Sequence, residues 1–263
     1  MDRIEVGGLT IAFERVGHGP ALVLLHGGLS DRREWRAQLD GLADAFTVFA
    51  WDAPGCGGSD EPPATFRMDD YARVLAQFVE AIGAKAPTVL GLSWGSTLAL
   101  ELYRLRPDIP RALILAAAYA GWAGSLPPDV ITERLEDALR DLALPPEDVA
   151  LRFLPTLFTE RASTAMREEA MQVMREARPS GVRPMVFAMA EADLRPVLPT
   201  IQVPTLLLYG EEDERSPLTV AEEMHDAIPT STLVVLPEVG HQSNIETPER
   251  FNAAVRSFVA DLP

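Results

Sequence analysis

The chain has 263 residues, of which 39 are acidic and 23 are basic, so its formal charge is −16. This length favours one large domain or a domain with an insertion, and an apolar fraction of 47% excludes a wholly disordered chain. The acidic excess argues against binding to nucleic acid or to an anionic membrane surface, because both need a basic stripe.

The first residues and the cysteine count indicate the compartment. Residues 1–5 show no basic start before an apolar run, so we expect no signal peptide. No apolar stretch approaches the roughly 18 residues that suggest a membrane span. The single cysteine, Cys56, cannot form an internal disulfide. We therefore expect a cytoplasmic enzyme or binding protein whose partner is a small molecule, and the sequence carries no signal for an oligomeric state.

Short apolar runs alternate with stretches in which apolar residues recur at helical spacing. The runs predict buried strands at residues 21–25, 46–51, 88–91, 112–117, 205–209 and 233–236, and the period-two alternation of residues 10–15 predicts a strand near the edge of the sheet. The helical stretches are residues 31–45, 68–82, 94–106, 218–228 and 248–259. Ser30 or Asp31 could cap the first helix, and Thr247-Pro248 is a favourable start for the last. The alternation predicts an α/β fold with a mostly parallel sheet flanked by helices.

The alternation stops between residues 121 and 200. This segment has no clear strand and carries prolines along its length, so it predicts several short helices joined by proline turns. A helical insertion between two strands must cover one edge of the sheet. We therefore expect an α/β core of residues 1–120 and 201–263, with a helical cap, or lid, formed by residues 121–200.

The strongest local motif is Gly91-Leu92-Ser93-Trp94-Gly95. It joins a predicted strand to a predicted helix, and a serine on such a tight turn is exposed at the carboxyl end of the sheet. The backbone N–H groups at the start of the helix favour a developing oxyanion. Ser93 is therefore the candidate nucleophile, and the N–H of Trp94 is a candidate oxyanion donor.

A serine nucleophile needs a base, and the chain has only four histidines. His241 follows the last predicted strand, and catalytic groups gather in loops at the carboxyl edge of such sheets. His241 is therefore the candidate base. The acid is expected within residues 211–214, which hold four carboxyl groups after another strand. Asp213 fits best, because a short side chain holds an imidazole more firmly than a glutamate does.

A glycine loop follows the strand at residues 21–25. In His26-Gly27-Gly28, backbone flexibility would let the N–H of Gly28 act as a second oxyanion donor, while His26 is expected to bond loop backbone. The glycine turn at residues 52–59 does not fit a nucleotide-binding motif, and Cys56 is expected to be a small residue in a structural turn. No His/Cys cluster has metal-ligand spacing, so we expect neither a metal nor another cofactor.

Together these motifs resemble the α/β-hydrolase superfamily, and the resemblance spans nearly the whole chain. It includes His26-Gly27, residues 52–59, the turn at residues 91–95, Gly210-x-x-Asp213 and Gly240-His241. The superfamily's nucleophile, acid and base fall on Ser93, Asp213 and His241. Its cap insertion falls where the strand pattern stops.

The subfamily is indicated less directly. Residues 91–100 and His26-Gly27-Gly28 are similar to proline iminopeptidases, but those enzymes continue the first motif with Pro-Gly where this chain has Leu29-Ser30. The C-terminal third looks more like esterases and enol-lactonases. Haloalkane dehalogenases and epoxide hydrolases of this fold use aspartate in place of Ser93, which disfavours both.

Three functions are consistent with these residues. The favoured hypothesis is a serine hydrolase that cleaves a small carboxylic ester or lactone through an acyl-enzyme. The alternative is an aminopeptidase of the proline iminopeptidase kind, in which Glu191 and Asp193 of the cap would hold the substrate ammonium. The third is a non-catalytic ligand-binding protein. The apolar cap side chains expected over the site are Leu154, Phe158, Met185, Phe187 and Met189.

Overall fold

The computed structural model describes residues 1–262, and within them the chain forms one eight-stranded sheet. The strands are β1 Asp2–Val6, β2 Leu9–Gly17, β3 Ala21–Leu25, β4 Thr47–Trp51, β5 Thr88–Leu92, β6 Ala112–Ala116, β7 Thr205–Gly210 and β8 Ser231–Leu236. Their order is β1-β2-β4-β3-β5-β6-β7-β8. β1 pairs antiparallel with β2 and β2 with β4, and all the other pairs are parallel. The predicted α/β fold with a mostly parallel sheet is confirmed.

The first strand, β1, was not predicted from the sequence. β1 consists of Asp2, Arg3, Ile4, Glu5 and Val6, and the sequence did not predict it as a strand because apolar and polar residues alternate over too short a run. A two-residue turn joins it to β2, with Gly7 at φ 60° and Gly8 at φ 77°. Two glycines at positive φ are typical of tight hairpin turns, so Gly7-Gly8 is the signal that would have predicted β1.

The helices lie between the strands in chain order. They are α1 Arg36–Leu42, α2 Met68–Ala81, α3 Trp94–Leu105, α4 Pro128–Asp141, α5 Pro146–Phe153, α6 Thr164–Arg175, α7 Pro179–Glu191, α8 Leu218–Ala227, α9 Ser243–Glu246 and α10 Pro248–Ala260. The predicted first helix is in fact a 3₁₀ turn at Arg32–Trp35 followed by α1. Asp31, and not Ser30, caps that turn, because its carboxylate accepts the N–H of Arg33 at 2.9 Å.

Both faces of the sheet are buried. On one face, residues of α2, α3 and α8 share an apolar cluster with Val23 and Leu25 of β3, while on the other face residues of α1 and α10 share a second cluster with Leu22 and Leu24. Alternate residues of one strand therefore enter two different cores, which is why the central strands are apolar throughout. Burial of each such side chain contributes about 1.5–3 kcal/mol, so the two cores hold the strand ends that carry the site in place.

Helices α4 to α7 lie between β6 and β7 and resemble a cap. They have a small apolar cluster of their own that includes Leu154, Leu157 and Phe158, whereas α4 buries none of its residues. α7, in contrast, contributes Met185, Ala188 and Met189 to the larger core cluster. Among the described residues, no helix has both the length and the apolar character that crossing a membrane would require.

Candidate active site

A cavity of about 430 Å³ lies between the carboxyl ends of the strands and the cap-like helices. This volume is in the range of small-molecule sites. Four of the five residues that the sequence assigned to the site line it, namely Gly28, Ser93, Trp94 and His241. Asp213 is hydrogen-bonded to His241 and does not itself line the cavity. The structure thus brings all five residues to one place.

Ser93 lies on a strained turn between β5 and α3. Its φ of 52° and ψ of −111° are rare for a residue with a side chain and cost of order 1–3 kcal/mol. The turn is tight enough to require glycine on both sides, since a Cβ on Gly91 would lie 2.2 Å from the carbonyl oxygen of Gly95, and one on Gly95 would lie 2.1 Å from that of Leu25. The tight turn therefore places the serine at the cavity surface, just before the first residue of α3.

His241 and Asp213 form a buried pair that joins the loops after β8 and β7. His241 Nδ1 lies 2.9 Å from Asp213 Oδ1 and 2.8 Å from Oδ2. The backbone N–H groups of Arg215 and Ser216 both donate to Oδ1 at 2.9 Å. These bonds fix the carboxylate, and the carboxylate fixes the imidazole with Nε2 free to accept a proton.

The three other carboxyl groups of residues 211–214 have different partners. Glu211 accepts the N–H of Glu238 at 3.0 Å, and Glu212 pairs with Arg161 at 2.9 Å. Glu214 is exposed at the cavity lining. Only Asp213 of the four is within hydrogen-bond distance of His241 in the described part of the chain.

The hydrogen-bond donors near Ser93 are the N–H groups of Gly28 and Trp94. Within residues 1–262, neither N–H has a hydrogen-bond partner, and Ser93 Oγ has none either. The N–H of Trp94 is free because it begins α3, where the first helical N–H groups have no acceptor in the helix. Two unpaired backbone donors and one unpaired hydroxyl therefore belong to residues that line the cavity.

His26 and Cys56 have structural environments. His26 Nε2 accepts the N–H of Ala53 at 3.0 Å and its Nδ1 lies 2.7 Å from the carbonyl oxygen of Gly27, so it bonds loop backbone as predicted. Burial lowers the pKa of His26 and raises that of the Cys56 thiol, which keeps both groups neutral. Across the described residues, no group of three or more His, Cys, Asp or Glu side chains could hold a metal ion.

Glu34 is a buried residue near the site that sequence reasoning missed. Its Oε2 accepts the N–H of Gly27 at 2.8 Å, and its Oε1 accepts Nε2 of Gln242 at 2.8 Å. It therefore connects the loop that carries Gly28 to the loop that carries His241. Burial, which outweighs these hydrogen bonds, raises the pKa of Glu34 to about 7. No local signal marks it, because a glutamate in a short polar segment is usually exposed.

Replacing Glu34 by glutamine is expected to change how stability depends on pH. Since the native pKa of about 7 exceeds the ordinary 4.5, the native state binds the proton more tightly than the unfolded state does. The stability that Glu34 contributes is complete below the ordinary pKa and is lost as pH rises through the native one. Between about pH 5.5 and about pH 8 the wild type should lose about 2 kcal/mol relative to Glu34→Gln, as measured by urea unfolding.

A matched control is Glu222→Gln, which alters an exposed glutamate on α8. The difference in unfolding free energy between this variant and the wild type should not change over the same pH interval. Parallel curves for the wild type and Glu34→Gln would show that Glu34 does not titrate in this range.

The cap side chains named from the sequence divide between the cavity and positions away from it. Glu191 pairs with Arg67 at 2.6 Å and Asp193 pairs with Arg195, and neither carboxylate lines the cavity. Of the five apolar side chains expected over the site, Met185 and Met189 line the cavity. Leu154 and Phe158 belong to the cap's own core, and Phe187 lies beside Arg67 and Arg183. On α7, the face that carries Met185 and Met189 is turned to the cavity, and Glu191 does not line the cavity.

Comparison with known proteins identifies the family. The family model described as the α/β hydrolase fold matches residues 20–248. The chain therefore belongs to the α/β-hydrolase family.

Two solved structures and one relative show what the chain is similar to. The structure of a thermophilic esterase from Thermogutta terrifontis is 32% identical with a TM-score of 0.92, and the match covers 100% of this chain and 99% of that one. An enol-lactonase from Burkholderia xenovorans shares the fold, with 24% identity, a TM-score of 0.90 and coverage of 99% and 100%. A pimeloyl-(acyl-carrier protein) methyl ester esterase of Vibrio campbellii is 27% identical over 254 residues, which are 94% of this chain and 98% of the relative.

Proposed function

We propose that this protein is a serine hydrolase that cleaves a small carboxylic ester or lactone through an acyl-enzyme. The observation that carries the proposal is the buried pair of His241 and Asp213, whose imidazole lines the same cavity as a serine on a strained turn. The esterases among its relatives support the ester over other acyl substrates.

The proposed reaction uses Ser93 as nucleophile, His241 as base and Asp213 as acid. His241 Nε2 takes the proton of Ser93 Oγ as this oxygen attacks the carbonyl carbon, and Asp213 stabilises the resulting imidazolium. The N–H groups of Gly28 and Trp94 donate to the oxyanion, and each such donor contributes about 3–4 kcal/mol in comparable sites. The imidazolium then gives its proton to the departing alkoxide. A water molecule, deprotonated by His241, attacks the acyl-enzyme and releases the carboxylic acid and Ser93.

The helices between β6 and β7 act as the cap in this proposal. Residues 121–200 form the cap over a core of residues 1–120 and 201–263. Apolar side chains of α7, including Met185 and Met189, line the cavity and exclude water from the acyl-enzyme. The cap thereby selects the substrate by shape, while the core supplies the reacting groups.

The aminopeptidase alternative has less support. It needs cap carboxylates free to hold an ammonium, but Glu191 and Asp193 are paired with arginines outside the cavity. The non-catalytic alternative gives no reason for a nucleophile, base and acid to lie together.

The two enzymatic hypotheses are separated by substrate. We expect the protein to hydrolyse p-nitrophenyl butyrate and to leave proline-p-nitroanilide intact, with release of the nitro product followed by absorbance. Hydrolysis of the anilide at a rate equal to or above that of the ester would instead favour the aminopeptidase. Failure to hydrolyse any member of a panel of short esters and lactones would overturn the proposed function.

A further inference from the structure

Two arginines line the cavity without an acidic partner. Arg215 comes from the loop after β7, two residues beyond Asp213, and Arg134 comes from α4. Among the described residues, no carboxylate oxygen lies within 4.0 Å of either guanidinium.

Neutral groups hold the Arg215 guanidinium. Nη1 of Arg215 donates to Thr156 Oγ1 at 3.0 Å, and the guanidinium carbon lies 4.0 Å from the ring centroid of Phe153. Its Nε and Nη2 have no hydrogen-bond partner in residues 1–262. The guanidinium is thus positioned by the cap while part of it stays open to the cavity.

Arg134 is held beside it. Nη1 of Arg134 donates to the hydroxyl of Tyr119 at 3.1 Å, and Nη2 donates to the carbonyl oxygen of Arg215 at 3.1 Å. Its guanidinium carbon lies 5.9 Å from the ring centroids of both Tyr119 and Trp122. Aromatic faces attract a cation but do not neutralise it. The two arginines therefore form a fixed, positively charged patch, the Arg134–Arg215 patch.

The other charges at the cavity do not neutralise this patch. Arg152 pairs with Asp141 at 3.0 Å, and Asp137 pairs with Arg140 at 2.7 Å. Asp213 bonds His241, and Glu214 is exposed. Burial lowers the pKa of Arg215 to about 10, so the guanidinium is still charged at neutral pH but is poorly solvated. A poorly solvated cation with free donors is strongly stabilised by an anion.

We propose that the Arg134–Arg215 patch binds a carboxylate of the substrate, so that the protein acts on esters or lactones that also carry a free carboxylate. The proposal rests on the proposed function, and it adds the substrate class. A planar guanidinium fork matches a carboxylate, whereas a neutral acyl chain would leave the cation without a partner.

Two esters of similar length test this substrate class. Mono-p-nitrophenyl glutarate carries a carboxylate on its acyl part, and p-nitrophenyl butyrate does not. We expect a higher kcat/KM for the glutarate. Arg215→Met and Arg134→Met should each lower that value by about 10-fold to 100-fold, the loss expected for a hydrogen bond to a charged group, and should affect the butyrate much less. A third ester, 4-butyryloxybenzoate, places the carboxylate on the alcohol side and shows which half of the substrate faces the patch.

Arg183→Met is the matched control. Arg183 also lacks a carboxylate partner among the described residues, but it is exposed on α7 and does not line the cavity. This change should leave the ratio of the kcat/KM values for the two esters as it is in the wild type. Equal losses for both esters in Arg215→Met and Arg134→Met would overturn the proposal, because they would mean that the arginines only support the cap.

A binding measurement keeps this inference separate from the proposed function. Glutarate should bind to the wild-type protein in calorimetry, and Arg215→Met should weaken its binding by about 10-fold or more. If no ester is hydrolysed but glutarate binds in this way, the proposed function fails and the anion site stands. If esters are hydrolysed without a preference for the glutarate and glutarate does not bind, the anion site fails and the proposed function stands.

Discussion

Replacing Ser93 by alanine is expected to lower kcat for p-nitrophenyl butyrate by about 10⁶-fold, the loss found when a triad serine is removed. The thermal midpoint should hardly change, because Ser93 Oγ faces the cavity and has no hydrogen-bond partner in the described residues. Alanine keeps the Cβ, so the turn at φ 52° is no more strained than before. The measurements are single-turnover kinetics and a thermal melt.

The control for this substitution is Ser180→Ala, which removes an exposed serine at the start of α7 that does not line the cavity. Its kcat should equal that of the wild type within error. If Ser93→Ala retains more than about one part in a hundred of kcat, Ser93 is not the nucleophile.

Asp213→Asn is expected to lower kcat by about 10⁴-fold, the effect seen when a triad aspartate becomes an amide. Asparagine has nearly the same shape, but it cannot stabilise an imidazolium. Its NH₂ group would also face Nδ1–H of His241, or the two N–H groups of Arg215 and Ser216 that now donate to Oδ1. The base would then adopt the wrong tautomer, and the resulting loss is measured as kcat with saturating ester.

The neighbouring glutamates provide three controls on the same loop. Glu211→Gln, Glu212→Gln and Glu214→Gln should each change kcat by less than about tenfold, because exposed charges are screened and contribute roughly 0–1 kcal/mol. Glu212 already has Arg161 as its partner, and Glu211 is bonded to the backbone of Glu238. If Asp213→Asn leaves kcat nearly unchanged and one of the glutamate substitutions lowers it strongly, that glutamate is the acid of the triad.

The α/β fold was predictable from the sequence because its signals are local. Each central strand is buried on both faces and is therefore an uninterrupted apolar run, as at residues 21–25, while the helices repeat their apolar residues at helical spacing. The segments that were not predicted correctly have neither an uninterrupted apolar run nor regular helical spacing. β1 is short and largely polar, and the helix expected from residue 31 begins instead as a 3₁₀ turn.

The candidate triad was predictable for a related reason. Ser93 lies within a turn whose two glycines are required, because a Cβ on either of them would lie about 2 Å from a backbone oxygen. The motif is therefore recognisable in five consecutive residues. His241 and Asp213 each follow a strand that ends at the same edge of the sheet. Their catalytic roles stay predictions, which the two substitutions above test.

The sequence by itself thus determined the fold class and the residues that meet at the strand ends. The tertiary structure alone decided which charged side chains are buried and which are paired. Glu34 connects two loops more than 200 residues apart. Arg134 donates to the carbonyl oxygen of Arg215 at the cavity, and Glu191 and Asp193 lie outside the cavity lining, paired with arginines. A strand or a tight turn is specified by neighbours along the chain, but the environment of a charge depends on elements that pack against it from distant parts of the chain. For that reason the proposed triad could be named from motifs, whereas the proposed anion site could not.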